Sequence, residues 1–379
     1  MAYRIPFNLP SLTGRELEYV QQAVAGGHIS GDGPFTKKCH ALLEQMLGGG
    51  SRCLLTTSCT HALDMAALLL DLQPGDEVIV PSFTFVSTAN AVVLRGARPV
   101  FCDVREDTLN LDERLVPGLV TDRTRAIFVV HYAGVACEMD PILATARERS
   151  LAVVEDAAQA LGSRYRGRPL GTLGDVGAFS FHETKNVFCG EGGALVINRP
   201  DLLERAEIIR EKGTNRSQFF RGLVDKYTWV DVGSSFLPSD LLAAFLFAQL
   251  ESFPEVQRHR KAIWHHYYYG LEDLERRGVL RLPRVPAHVE PNYHLFHLLL
   301  EDDVTRDRLM LHLREQGILA VFHYIPLHDS PMGRRLGYVP GSLPVTERAS
   351  GRLLRLPFYN GLSQTDQHDV IAAIRSFFG

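Results

Sequence analysis

Long hydrophobic runs are missing from this chain. No apolar stretch approaches the ~18 residues that a membrane span requires, so no membrane role is expected. A surplus of one charge is missing too. The formal net charge is -4, which gives no basic footprint for a nucleic-acid backbone. The six cysteines (Cys39, Cys53, Cys59, Cys102, Cys137, Cys189) are scattered and none forms a C-x-x-C pair. That argues against a zinc knuckle or a disulfide framework and leaves small buried thiols. No H-E-x-x-H occurs among the fifteen histidines, so no metal is expected. No G-x-G-x-x-G follows a strand, which discounts a Rossmann-type dehydrogenase. The opening "MAYRIPFNLP" lacks the apolar stretch of a signal peptide, and a cytoplasmic location is expected.

What is present is the balance of a globular protein: 379 residues, 45% hydrophobic and 22% charged. As a soft prior, that length allows roughly two or three domains. Helices are expected near Gly14–Ala25 and Phe35–Leu47. A strand at Arg52–Thr56 and a buried, nearly all-round apolar helix at Thr60–Leu72 follow. Short apolar strands then alternate with helices to about residue 200, in "DEVIVP", "RPVFCDV", "AIFVV", "LAVVED", "VGAFSF" and "GALVIN". Such alternation implies an α/β fold with a mainly parallel sheet covered on both faces. After about Glu251 the pattern changes to a long helix, Pro254–Arg277, strands in "NYHLFHLLLE" and "ILAVFHY", and a last helix from Ser363. Two domains are expected, a large one over residues 1–250 and a smaller α+β one over 251–379.

Open α/β sheets bind ligands outside the carboxyl ends of their strands. That rule selects Ser58–Thr60, Ser82–Phe85, His131, Tyr132, Glu155, Asp156, Gln159 and the run Ser180 to Lys185. Each has an ordinary reading as well. Thr60 serves as a helix N-cap, or its helix start binds a phosphate. Asp156 is buried at a strand end and needs a cation, either a side chain or a protonated ring nitrogen. Phe85 is core or a surface for a flat ring. Lys185 is a solvated loop lysine, or an amine held at lowered basicity by Phe181 and Phe188. Pyridoxal phosphate gives these pieces one purpose. It needs a lysine, an acid for its ring nitrogen, a phosphate cradle and an apolar face.

The segment "VVEDAAQALGSRYRGRPLGTLGDVGAFSFHETKN", followed by "GEGGAL", resembles the signature of the DegT/DnrJ/EryC1/StrS sugar aminotransferases. The likeness extends over the whole chain, through "PGDEVIVPSFTFVSTANAV" and "FHYIPLH". It implies the aspartate-aminotransferase-like fold, fold type I of pyridoxal-phosphate enzymes. By the motifs, Lys185 is the Schiff-base lysine and proton shuttle. Asp156 faces the pyridine nitrogen, Gln159 the phenolic oxygen and Phe85 the ring face. The amides of Thr60 and His61 and the hydroxyl of Ser180 hold the phosphate. Ser235 stands where many members carry an asparagine that reaches the partner subunit's phosphate. His182, His323, Tyr324 and His328 are substrate-side candidates, with buried structural histidine as the competing reading.

Basic residues gather from Arg205 to Arg221. Arg205 reads as a solvated helix face, whereas Lys212, Arg216 and Arg221 are candidates for a nucleotide diphosphate. The stretches "REKGTNRSQFFRG", "DKYTW" and "AVFHYIPLH" are most similar to members that carry the amino group of L-glutamate to C4 of dTDP-4-dehydro-6-deoxyglucose. That yields the galacto amino sugar and 2-oxoglutarate. Amination at C3, or the gluco C4 product, is the alternative outcome of the same chemistry. Homodimers with interfacial sites are also implied by the resemblance.

Overall fold

The computed structural model describes residues 3–379. Its organising feature is a seven-stranded sheet. The strands are β1 (Arg52–Thr56), β2 (Glu77–Pro81), β3 (Arg98–Cys102), β4 (Thr124–Val130), β5 (Ala152–Asp156), β8 (Val176–Ser180) and β9 (Gly193–Ile197). Two two-residue strands, β6 (Arg164–Tyr165) and β7 (Arg168–Pro169), lie between β5 and β8 and belong to a separate small sheet. The order across the large sheet is β1-β9-β8-β5-β4-β2-β3. Only β9 runs against its neighbours, because β8 returns into it through one loop. The rest pair in parallel. β2 and β9 are buried along their whole length, as Val- and Ile-rich strands covered on both faces must be.

Helices cover the sheet. They are α1 (Glu16–Ala25), α2 (Pro34–Met46), α3 (Cys59–Leu69), α4 (Val86–Val93), α5 (Val116–Leu119), α6 (Met139–Arg149), α7 (Leu203–Arg210), α8 (Arg216–Phe220) and α9 (Asp240–Glu251). α3 buries Ala62, Leu63, Met65, Ala66, Ala67 and Leu69, as its all-round apolar sequence requires. Leu63, Met65 and Leu69 each contribute roughly 1.5–3 kcal/mol on burial, and the alanines let the helix pack close to the sheet. Its N-cap is Ser58, whose Oγ accepts from the His61 amide at 3.1 Å. Thr60 therefore sits inside the first turn rather than capping it.

The C-terminal part begins with the 24-residue α10 (Phe253–Arg276). It continues through β10 (Leu280–Arg281), β11 (Val289–Glu290), β12 (His297–Leu300), α11 (Asp303–Glu315), α12 (Pro331–Arg335), α13 (Pro344–Arg352), β13 (Leu353–Arg355) and α14 (Gln364–Phe378). β10, β12 and β13 form a three-stranded sheet, and β11 joins β6 and β7. "ILAVFHY" is not a strand. It makes only isolated bridges, Ile318 to Ile5 and Val321 to Arg355, since an extended chain needs a continuous partner to become a ladder. A separate hydrophobic core, including Trp264, Tyr267, Phe296, Leu354 and Ile374, forms between these elements. Ile5 joins that core from the other end of the chain, which draws Phe7 and Asn8 across the molecule. No helix among the described residues is long and apolar enough to cross a membrane.

Candidate active site

A cavity of about 890 Å³ opens at the carboxyl ends of β1, β2, β5 and β8. Its walls come from both parts of the chain. Ser58, Cys59, Thr60, Phe85, Asp156, Gln159, Ser180, His182 and Lys185 line the sheet side. His294, Phe322, His323, Tyr324 and Arg355 line the other, with Phe7 and Asn8.

Lys185 is carried on the loop between β8 and β9. The loop is closed by backbone bonds from Phe181 to Gly192 (2.8 Å), from Glu183 to Gly190 (3.0 Å) and from Lys185 to His182 (2.9 Å). Asn186 pins its far side by donating to the Asn292 carbonyl at 2.8 Å and meeting His294 Nδ1 at 2.9 Å. The ammonium is thereby held at the cavity wall. Burial lowers its pKa from the ordinary lysine value, and Arg355 adds to that effect while Cys59 and Asp156 oppose it. A buried amine that loses its proton more readily is a better nucleophile at a given pH.

Asp156 ends β5. Its Oδ2 accepts from Thr88 Oγ1 at 2.7 Å, and its Oδ1 from the Ala158 amide at 3.2 Å. Burial raises its pKa, and those bonds and Lys185 pull the other way. Among the described residues no cationic side chain forms an ion pair with it, so the structural salt bridge expected as the ordinary reading is absent. A buried carboxylate short of a cation suits a protonated ring nitrogen.

Gln159 bridges the two walls. Its Oε1 accepts from the Ala133 amide at 2.7 Å, and its Nε2 donates to Tyr324 Oη at 3.0 Å. Phe85 is 57% exposed, and its ring lies 6.4 Å from that of Tyr324. The phosphate end is set by the start of α3. The His61 amide is engaged by Ser58, and the His61 side chain packs edge-on against Phe236, outside the cavity. The Cys59 and Thr60 amides carry no such cap, and Ser180 Oγ faces the same space. Gly193 explains how β9 fits beneath this turn. A Cβ there would lie 2.3 Å from the Ser58 carbonyl carbon and 2.4 Å from the Cys59 nitrogen. Amine, unpaired acid, free helix-start amides and an exposed ring at one cavity match the needs of pyridoxal phosphate.

Not all the predicted residues meet here. His328 is fully buried between Ser82 Oγ (2.7 Å) and Glu347 Oε1 (2.8 Å) and ties the 327–329 turn to α13; its role is structural. His131 is likewise paired with Glu155 at 2.9 Å inside the core. Lys212 and Arg216 both reach Glu211, Arg221 reaches Glu207, and Arg205 is paired with Asp231. Ser235 is exposed next to them. None of these lines the cavity of the single chain. His182, His323 and Tyr324 do; His323 Nδ1 meets Tyr132 Oη at 3.1 Å. Sequence reasoning missed Arg355, Thr88 and the N-terminal Phe7 and Asn8. Arg355, Phe7 and Asn8 arrive from distant segments and no local signal marks them, whereas Thr88 lies one helical turn after Phe85 and could have been found from the carboxyl end of β2.

Residues 10–375 match the profile of the DegT/DnrJ/EryC1/StrS aminotransferase family. The spore coat polysaccharide biosynthesis protein SpsC of Bacillus subtilis is 33% identical over 98% of this chain and 96% of its own. Among solved structures, the aminotransferase TlmJ of Streptoalloteichus hindustanus is 35% identical with a TM-score of 0.90, covering 99% of this chain and 98% of its own. Spr1654 of Streptococcus pneumoniae, solved in a pyridoxal-phosphate form, is 26% identical with a TM-score of 0.91, covering 99% and 98%.

Proposed function

The chain belongs to the DegT/DnrJ/EryC1/StrS aminotransferase family and is a fold-type-I, pyridoxal-phosphate-dependent sugar transaminase; from that premise we propose that it acts on a 4-keto nucleotide sugar. The amino group of L-glutamate passes to C4 of dTDP-4-dehydro-6-deoxy-D-glucose. The products are dTDP-4-amino-4,6-dideoxy-D-galactose and 2-oxoglutarate. This is the reaction of the dTDP-4-amino-4,6-dideoxygalactose transaminase of enterobacterial common antigen synthesis, which the stretches at residues 210–222 and 320–328 resemble. A cytoplasmic location goes with this reading. The observation that carries the chemistry is the pairing in one cavity of an amine of lowered basicity, Lys185, with an acid lacking a cation, Asp156.

When bound, the cofactor holds the amino group between the two half-reactions and takes up the electrons left on carbon as a proton departs. The protein's residues do the rest. Lys185 Nζ removes and returns that proton, at Cα of glutamate and then at C4 of the sugar. Asp156 would keep the ring nitrogen protonated. Gln159 would meet the phenolic oxygen, and Phe85 would cover the ring. The Cys59 and Thr60 amides and Ser180 Oγ would hold the phosphate. His182, His323 and Tyr324 orient the sugar.

Lys212, Arg216, Arg221 and Ser235 fit this scheme through a second copy. Beside them Phe220, Leu223 and Trp229 stand 70%, 68% and 77% exposed. An apolar surface of that kind marks a protein contact. In a homodimer this segment reaches the partner's cavity and brings the basic residues to the nucleotide diphosphate. NMR of the product from dTDP-4-dehydro-6-deoxyglucose and glutamate tests the assignment. An axial C4 amine supports it. An equatorial one, or a C3 amine, replaces it with the alternative. Lys185→Ala should form no product.

A further inference from the structure

His294 lies in the segment before β12 and lines the C-terminal wall of the cavity. Arg260 of α10 fixes its backbone. That buried guanidinium donates to the carbonyls of Tyr293, at 3.1 Å, and of His294, and to Asn360 Oδ1 at 3.0 Å. The imidazole is fixed by Asn186, the residue after Lys185. The Asn186 amide has one permitted orientation, because its Nδ2 donates to the Asn292 carbonyl at 2.8 Å and lies 3.2 Å from Gln257 Oε1. A carbonyl only accepts. The Asn186 atom 2.9 Å from His294 Nδ1 is therefore the oxygen Oδ1, and Nδ1 must carry the proton.

A neutral imidazole holds one ring proton, so Nε2 is left as a bare lone pair. Burial keeps the ring neutral, and Lys185 is the foremost of the positive charges that add to the effect, ahead of Arg260 and Arg355. The influence of Lys185 places the imidazole at the reacting end of the cavity. Among the described residues no donor meets Nε2, and the residue is 8% exposed where it faces the cavity. A desolvated acceptor without a donor is costly. Arg355 on the same wall offers only donors, so His294 supplies the opposite polarity.

We propose that His294 Nε2 accepts a hydrogen bond from the sugar hydroxyl next to the reacting ketone, the C3 hydroxyl of a 4-keto sugar, and so sets how the pyranose lies against Lys185. The proposal rests on the 4-keto nucleotide-sugar reading above. Chemistry chooses among the groups that enter the cavity. The cofactor phosphate and the two carboxylates of glutamate accept hydrogen bonds and do not suit a bare ring nitrogen. The amino group of glutamate is a donor, but it is the group that the reaction removes. The thymine N–H of the nucleotide lies beyond the diphosphate, which hangs from C1, across the ring from C4. The C3 hydroxyl is one bond from the carbon that receives the amine, and it keeps its proton throughout.

The test uses His294→Asn, whose side-chain N–H can take the place of Nδ1–H toward Asn186 while nothing replaces Nε2. Absorbance follows the two half-reactions of the holoenzyme separately, glutamate alone and then the aminated enzyme with the sugar nucleotide. The variant should lower kcat/KM for dTDP-4-dehydro-6-deoxyglucose by about 10-fold, the worth of one neutral hydrogen bond, and leave the glutamate half-reaction within about twofold. The wild type should lose about as much on dTDP-4-dehydro-3,6-dideoxyglucose, which lacks the C3 hydroxyl, and the variant should lose nothing further on that analogue. If the variant does not fold, the wild type with the two sugars carries the test. Equal kcat/KM for both sugars in the wild type overturns the proposal. So does a loss confined to the glutamate half-reaction, which would make His294 a base for the amino donor, or a full second loss when the variant meets the analogue. A wild-type enzyme that takes the amino group from glutamate but rejects both sugars refutes the sugar assignment and the proposal with it, and is told apart because no variant is needed to see it.

Discussion

Two glycines of one turn, Gly190 and Gly193, should respond differently to a single added methyl. At Gly193 an alanine Cβ would stand 2.3 Å from the Ser58 carbonyl carbon and 2.4 Å from the Cys59 nitrogen. Both are backbone atoms, so no rotamer relieves the clash. Restoring ordinary contact needs a shift of about 1 Å at the start of α3. That turn carries the amides assigned to the cofactor phosphate. Losing one or two such bonds to a charged group, at roughly 1.5–3 kcal/mol each, should weaken cofactor binding about 10- to 100-fold or more. The strain should also lower stability by roughly 1–3 kcal/mol. Gly190 is different: its φ is +84°, and a Cβ there meets open space. Gly190→Ala should cost about 1–2 kcal/mol of backbone strain and leave cofactor affinity alone. Absorbance titration with pyridoxal phosphate, alongside urea denaturation, separates the two. Equal cofactor affinity in Gly193→Ala and the parent would refute the cradle.

Reconstitution of cofactor-free protein should speed up as pH rises, with a midpoint below the 10.5 of an ordinary lysine, because burial favours the neutral Lys185 amine. Stopped-flow absorbance across pH measures this, and a midpoint at or above the ordinary value would refute it. His40 and His297 are each held near a pKa of about 3 in the folded protein. The unfolded chain therefore binds their protons first, and their contribution, complete above about pH 6.5, is lost as pH falls toward 3. The slope is about 1.4 kcal/mol per pH unit for each group. Because His40 Nε2 accepts from the Leu55 amide at 2.9 Å, His40→Gln should keep that bond and remove one proton's worth of slope. Urea melts from pH 6 to 4 check it; an unchanged slope would count against the assignment.

Much of the sheet side of the site was legible because its residues follow local rules. A parallel strand reads as a short apolar run, and the polar residue after it lies at the carboxyl edge. Asp156, Ser180 and Lys185 were found that way. Element ends were less legible: Ser58, not Thr60, caps α3, since either hydroxyl suits that sequence position. "ILAVFHY" has strand composition but no continuous partner. His328 carried the same local credentials as His323, yet it lies between Ser82 and Glu347 while His323 lines the cavity. Lys212, Arg216 and Arg221 form a cluster in sequence, but within one chain they pair with Glu211 and Glu207 and none lines the cavity.

The sequence by itself determined the α/β class, the family and the lysine–acid pair, because strand patterning and catalytic motifs are written in contiguous residues. The tertiary structure alone decided which polar groups lack partners. Asp156 is short of a cation, and His294 Nε2 of a donor, only once β5, α10 and the Lys185 loop have packed around them. Desolvation is a property of the packed whole. The fit of Gly193 under Ser58 is equally non-local, since contact between distant backbones is set by the sheet order and not by either segment.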